Sequence, residues 1–138
     1  MKTSSVPIIA FHNGISAIFE GYGISYREVK DIEQLTQHYR ALSERLSWDF
    51  RPPEHLVNQL GYRMLQSGND NDKSKALEFF LLNVENYPKS PNCYDSLGEA
   101  YEAFGDTQKA IEYYKKSLEL NPGNEHARMK IKKLNTNE

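Results

Sequence analysis

The chain has 138 residues and a formal net charge of −2, with 38% apolar and 26% charged residues. So small a net charge excludes an overall field that would gather nucleic acid or an anionic membrane surface, and nine Tyr, six Phe and one Trp exclude a disordered chain. A single cysteine, Cys93, excludes an internal disulfide and a cysteine-built zinc site, and no apolar run approaches the roughly 20 residues of a membrane span.

The stretch MKTSSVPIIAF has one lysine and a short apolar part, broken by His12, Asn13 and Gly14. It lacks a small-residue cleavage pattern, so the expectation is a cytoplasmic protein without a signal peptide. Ile8, Phe11, Ile15, Ile18 and Phe19 make an apolar face, which predicts homodimerisation or folding back onto the rest of the chain. Gly21-Tyr22-Gly23 lacks the strand and helix context of a phosphate loop and reads as a turn. A helix is predicted from about Tyr26 to Leu46, with Ile32, Leu35, Tyr39, Leu42 and Leu46 on one face. Ser25 and Glu28 fit a capping box at its start. Pro52-Pro53 ends this segment, because the residue before a proline is pushed out of helical geometry. Pro53 can then open the next helix, where a missing N–H costs nothing.

Beyond Pro53 the pattern becomes helices in pairs: Glu54–Gln66 and Ser74–Asn86 around the turn SGNDNDK, then Pro91–Phe104 and Thr107–Leu120 around Gly105-Asp106. A last helix covers Glu125–Leu134. No segment alternates apolar and polar residues long enough for a strand, so the expected fold class is all-α.

Within Pro91–Asn124, Tyr94, Leu97-Gly98, Tyr101, Ala110, Tyr114 and Pro122 stand at fixed offsets. Gly98 and Ala110 suit a close approach of two helices, Asp106 suits a helix cap, and Pro122 turns the chain toward a next unit. These landmarks resemble the tetratricopeptide repeat, a helix-turn-helix unit of 34 residues. A degenerate copy precedes it: Leu60-Gly61 lies 37 residues before Leu97-Gly98, while Ala76, Phe80 and Pro88 lie 34 before Ala110, Tyr114 and Pro122. The three extra residues are expected in the SGNDNDK turn. Val57, Met64 and Asn83 depart from the pattern, which usually has an aromatic, a tyrosine and a small residue there. Two copies are fewer than the about three a stable stack needs, so the flanks must contribute. The Glu125–Leu134 helix is expected to cap one end, and the Ile32–Leu46 face to cap the other by packing on the Glu54 helix. The implied organisation is an N-terminal helical segment, 1–53, followed by repeats at 54–90 and 91–124 and a capping helix at 125–134.

Ser5-Val6-Pro7-Ile8-Ile9, the Phe19–Tyr22 stretch and the helix after them resemble the C-terminal tail of an esterase of the α/β-hydrolase superfamily, over roughly residues 3–60. Some bacterial members of that group carry such repeats at the C-terminus. The resemblance implies a remnant or fragment that docks or regulates a catalytic domain. No histidine precedes Ser5 and no Gly-x-Ser-x-Gly elbow exists in the chain, so no enzyme is expected in these residues.

The histidines His12, His38, His55 and His126 show no metal-ligand spacing in sequence, and neither metal nor cofactor is expected. Asp95, Glu99 and Glu102 share a helix face and read as a solvated acidic face rather than a cation site or acid/base pair. Cys93 reads as a small buried thiol. Arg128, Lys130, Lys132 and Lys133 read as a solvating helix face, not as a nucleic-acid patch. The resemblance to the repeat implies a peptide groove lined by His55, Asn58, Gln59, Tyr62 and Gln66 in the first copy. In the second copy the lining is Asn92, Asp95, Ser96, Glu99 and Glu102, followed by His126 and Lys130. Asn58 and Tyr62 replace the lysine and asparagine of a carboxylate clamp, so the expected ligand is a basic peptide or partner helix facing an acidic groove. The function this implies is a non-enzymatic protein–protein interaction module.

Overall fold

The structure, a computed structural model, describes residues 24–25 and 27–136. The described residues form six helices and no strand: α1 Ile32–Leu46, α2 Glu54–Ser67, α3 Asp70–Asn86, α4 Pro91–Phe104, α5 Thr107–Leu120 and α6 Glu125–Thr136. The expected all-α array of helical hairpins is what the chain builds. The apolar face of residues 8–19, and the Ser5–Ile9 and Phe19–Tyr22 stretches that carry the esterase resemblance, lie outside the described residues.

Each helix boundary has a local cause. Asp31, extended, accepts a hydrogen bond from Gln34 N at 2.8 Å and caps α1. The helix therefore starts at Ile32, and the expected start near Tyr26 with a Ser25–Glu28 capping box is corrected. Those two residues close a turn, Glu28 N donating to Ser25 O at 2.9 Å. Val29, outside the helix, becomes part of the core. Asn69 caps α3 in the same way through Asp72 N at 2.8 Å, with Asp70 and Asp72 placed against the positive helix end. Asp106 caps α5 through Lys109 N, and Asn124 caps α6 through Ala127 N. Gly105, at φ 79°, adopts the left-handed turn that ends α4.

The three additional residues of the first copy are not in a turn. Helix α3 has 17 residues where α5 has 14, while α2 and α4 both have 14. The insertion is absorbed as almost one further turn of helix, because the Asn69 cap lets Asp70-Asn71-Asp72 begin it. The two hairpins are then equivalent from Ala76 and Ala110 onward.

Close approach within each hairpin is set by glycine. A Cβ on Gly98 would stand 2.8 Å from the ring of Tyr114, and one on Gly61 would stand 2.7 Å from the ring of Phe80. Both aromatic rings are fully buried, so each fills the space its glycine leaves. The polar position beside them is also shared. Ser117 Oγ donates to the Pro91 carbonyl at 2.8 Å, and Asn83 Nδ2 donates to the Glu54 carbonyl at 3.1 Å. Asn83 is thus a longer side chain performing the task of Ser117, satisfying the first carbonyl of the paired helix.

One core joins Val29, Leu35, Tyr39, Leu42, Val57, Leu60, Met64, Ala76, Phe79, Phe80, Leu97 and Ala100. A second joins Ala110, Tyr114, Ala127 and Leu134, and half-buried Tyr101 packs against both. The expected α1 face is the buried one, but α1 approaches α3 rather than resting on α2. Val57 and Met64 are buried among these N-terminal residues. That explains why aliphatic side chains stand where the second copy has the half-exposed Tyr94 and Tyr101.

Candidate functional site

The candidate lining residues come from α2, α4 and α6. A cleft of about 750 Å³ is lined by Glu54, His55, Asn58, Gln59, Tyr62, Arg63 and Gln66 of α2 and by Asn92 at the head of α4. Six of the expected groove residues are therefore brought together: His55, Asn58, Gln59, Tyr62, Gln66 and Asn92. His55, Gln59 and Gln66 are exposed, while Asn58 Oδ1 is buried with no hydrogen-bond partner among the described residues. Glu54 bounds the cleft and accepts from Ser90 Oγ and Asn92 Nδ2, both at 3.0 Å.

The other six expected residues fall into two bonded groups, Asp95, Ser96, Glu99 and His126 in one and Glu102 with Lys130 in the other. Tyr62 hydroxyl donates to Glu99 Oε2 at 2.5 Å and accepts from Ser96 Oγ at 3.1 Å, tying α2 to α4. His126 of α6 stands between two carboxylates, with Nδ1 2.8 Å from Asp95 Oδ2 and Nε2 3.1 Å from Glu99 Oε1. Asp95 Oδ1 accepts from Asn124 Nδ2 at 3.0 Å. Glu102 Oε2 accepts from Lys130 Nζ at 2.7 Å and from Tyr114 hydroxyl at 2.9 Å.

The solvated acidic face expected of Asp95, Glu99 and Glu102 is corrected. All three are partly buried, and each carboxylate is engaged by side chains from neighbouring helices. The physical reason lies in the register of the array. His126 and Lys130 stand 34 residues after Asn92 and Ser96, so α6 lays its basic side chains against the acids of α4.

Electrostatics follow from this crowding. Burial pushes the Glu102 carboxyl up, but the hydrogen bonds from Lys130 and Tyr114 and the charges of Lys130 and Lys133 outweigh it and hold the group below the usual carboxylate range. Burial pushes the Tyr62 and Tyr114 hydroxyls well above their ordinary value, and the carboxylates of Asp95 and Glu99 add to the shift. Cys93 is fully buried, and burial pushes its thiol up to about 11, so it is a packed group and not a nucleophile.

Residues 93–124 match the family model of the tetratricopeptide repeat. The chain carries a tetratricopeptide repeat. The match begins and ends within the α4–α5 hairpin and its closing turn, where Gly98, Ala110 and Tyr114 make the close helix pair. No curated protein matches the chain. A helical repeat of this kind is a scaffold that presents side chains from successive helices on one surface, and it points to a protein–protein interaction module. Among the described residues, no helix is long and apolar enough to cross a membrane.

The three-residue meeting of Asp95, Glu99 and His126 was missed in the sequence, where His126 lies far from both acids. The signal that finds it is the 34-residue register, which sets the start of α6 beside the start of α4.

Proposed function

We propose that the protein is a non-enzymatic interaction module that holds an extended peptide or partner helix along α2 and the head of α4. The observation that carries this reading is the cleft itself. It collects the amide side chains of Asn58, Gln59, Gln66 and Asn92 beside the imidazole of His55. Amides offer a donor and an acceptor together, so they match the repeating N–H and C=O of a peptide main chain.

This reading moves the ligand away from the acids of α4. Glu99 and Glu102 are committed to Tyr62, His126 and Lys130, so a basic peptide would have to displace bonds already made. We place the binding unit in 54–134, with the N-terminal segment 1–53 contributing Val29, Leu35, Tyr39 and Leu42 to its core. The esterase-tail alternative rests on resemblance alone, and turnover of an ester substrate by this chain would overturn the non-enzymatic reading.

The test uses peptides selected by display against the folded chain, with affinity read by fluorescence anisotropy. Replacing His55, Gln59 and Gln66 together by alanine removes only exposed side chains, each worth roughly ±0.5 kcal/mol, so Tm should move by no more than a few degrees. Affinity for the selected peptides should fall at least about tenfold, the effect of losing about 1.4 kcal/mol of contacts. Unchanged affinity would remove the cleft as the binding surface.

A further inference from the structure

Helix α4 presents Asp95 and Glu99 one turn apart on the same face. Their outer oxygens are occupied by neutral donors, Asn124 on Asp95 and Tyr62 on Glu99. Their inner oxygens both point at His126. The nearby ammonium of Lys130 is directed to Glu102 instead. With a neutral imidazole, the cluster therefore carries two negative charges.

A neutral imidazole has one N–H to donate. If Asp95 takes it at Nδ1, then Nε2 presents a lone pair to Glu99 Oε1 across 3.1 Å. Two lone pairs at that distance repel unless a positive centre lies between or beside them. Two ligand atoms each about 2.1 Å from one cation are about 3.0 Å apart at the right angle of an octahedral site and about 3.4 Å apart at the tetrahedral angle of zinc. The 3.1 Å separation of Nε2 and Oε1 falls between these two values. Asp95 then plays the part of the carboxylate that receives the other ring N–H and fixes the tautomer. The His126 side chain is 41% exposed, which leaves the outer side open for water to complete the coordination.

We propose that Glu99 and His126, oriented by Tyr62 and Asp95, bind a divalent transition-metal ion of the zinc type and so clip α6 to α4. The imidazole and carboxylate donor set suits Zn²⁺, Co²⁺ or Ni²⁺ rather than Mg²⁺ or Ca²⁺, which take oxygen ligands. A divalent charge balances the two carboxylates. The rival occupant is a second proton on His126, which would make the same contacts as an imidazolium ion pair.

The two are separated by titrating chelator-stripped full chain with zinc chloride at slightly alkaline pH, read by calorimetry and by the ring nitrogen signals of His126 in NMR. The expected result is saturable binding at one ion per chain with the His126 Nε2 signal shifting. Glu99→Gln, nearly isosteric, should weaken zinc at least tenfold, and Asp95→Asn about tenfold as an orienting partner. His55→Ala should leave the isotherm unchanged. His126→Ala should abolish binding, but His126 also packs its ring edge-to-face on Tyr114, so the Glu99→Gln result decides if that variant folds poorly. An isotherm unaltered by Glu99→Gln, or no saturable binding, would overturn the proposal and leave the imidazolium ion pair as the explanation of the cluster.

Discussion

Gly98→Ala tests the packing that defines the repeat. A methyl at this position would lie 2.8 Å from Cδ1 and Cε1 of Tyr114 and 3.1 Å from Cγ. Carbon atoms are comfortable at about 3.5–4.0 Å, so one side must move by several tenths of an ångström. The Tyr114 ring has little room. It is fully buried, its hydroxyl donates to Glu102 at 2.9 Å, and its face meets the edge of His126. Spreading α4 from α5 instead carries the usual overpacking cost of about 1–3 kcal/mol. Swinging the ring forfeits a hydrogen bond to a charged acceptor, worth about 1.5–3 kcal/mol. Alanine returns about 1 kcal/mol of helix propensity over glycine. The net expectation is a loss of about 1 kcal/mol, within a span of about 0–2, or a fall in Tm of roughly 4 °C for a chain of this size. Thermal denaturation followed by far-ultraviolet circular dichroism measures it. The same substitution made in a Tyr114→Leu background should cost less than half as much, because the contacting ring is gone. A Gly98→Ala variant as stable as the parent, or more stable, would refute the reasoning, since a helix with open space at that position gains from alanine.

Asn83→Ala removes the donor to the buried Glu54 carbonyl and should cost about 1–3 kcal/mol, read as a lower urea midpoint at unchanged m-value. A cost near zero would show that Asn83 is only filling space. Glu102 has its carboxyl held below the usual range, so its contribution is complete above the ordinary glutamate value of about 4.3 and is lost as pH falls through its own lowered value. The Tm gap between the parent and Glu102→Gln should therefore be constant near neutral pH and close toward about pH 2. A gap that persists or widens in acid would mean the Lys130–Glu102 pair is not its source.

The helix pairs were legible because their signals are local. Proline, glycine and apolar spacing mark Pro91–Phe104 and Thr107–Leu120, and the structure returns those bounds unchanged. The errors arose where two local signals competed. Ser25 with Glu28 and Asp31 with Gln34 both offered a start for α1, and Asp31 prevailed because its side chain reaches the free N–H of Gln34. The stretch SGNDNDK looked like a turn by composition, yet Asn69 is a strong cap and the acids after it favour a helix start.

The candidate site was legible as a set of positions but not as a set of interactions. The register placed His126 and Lys130 on the same surface as Asp95, Glu99 and Glu102. It could not show that opposite charges meeting there would satisfy one another, because that depends on reach between residues 27 or more apart in sequence. Charge type alone suggested an acidic groove. Distances assign the acids to the joint between α4 and α6, and the amide-lined cleft of α2 is the surface we propose for a ligand. The first copy departs from the repeat pattern at Val57, Met64 and Asn83, and each departure has a packing cause in the burial around α1 or in the carbonyl of Glu54. Those three positions therefore report on how a short array closes its end, while His55, Gln59 and Gln66, exposed on the cleft, are where side chains can change at least cost to the fold.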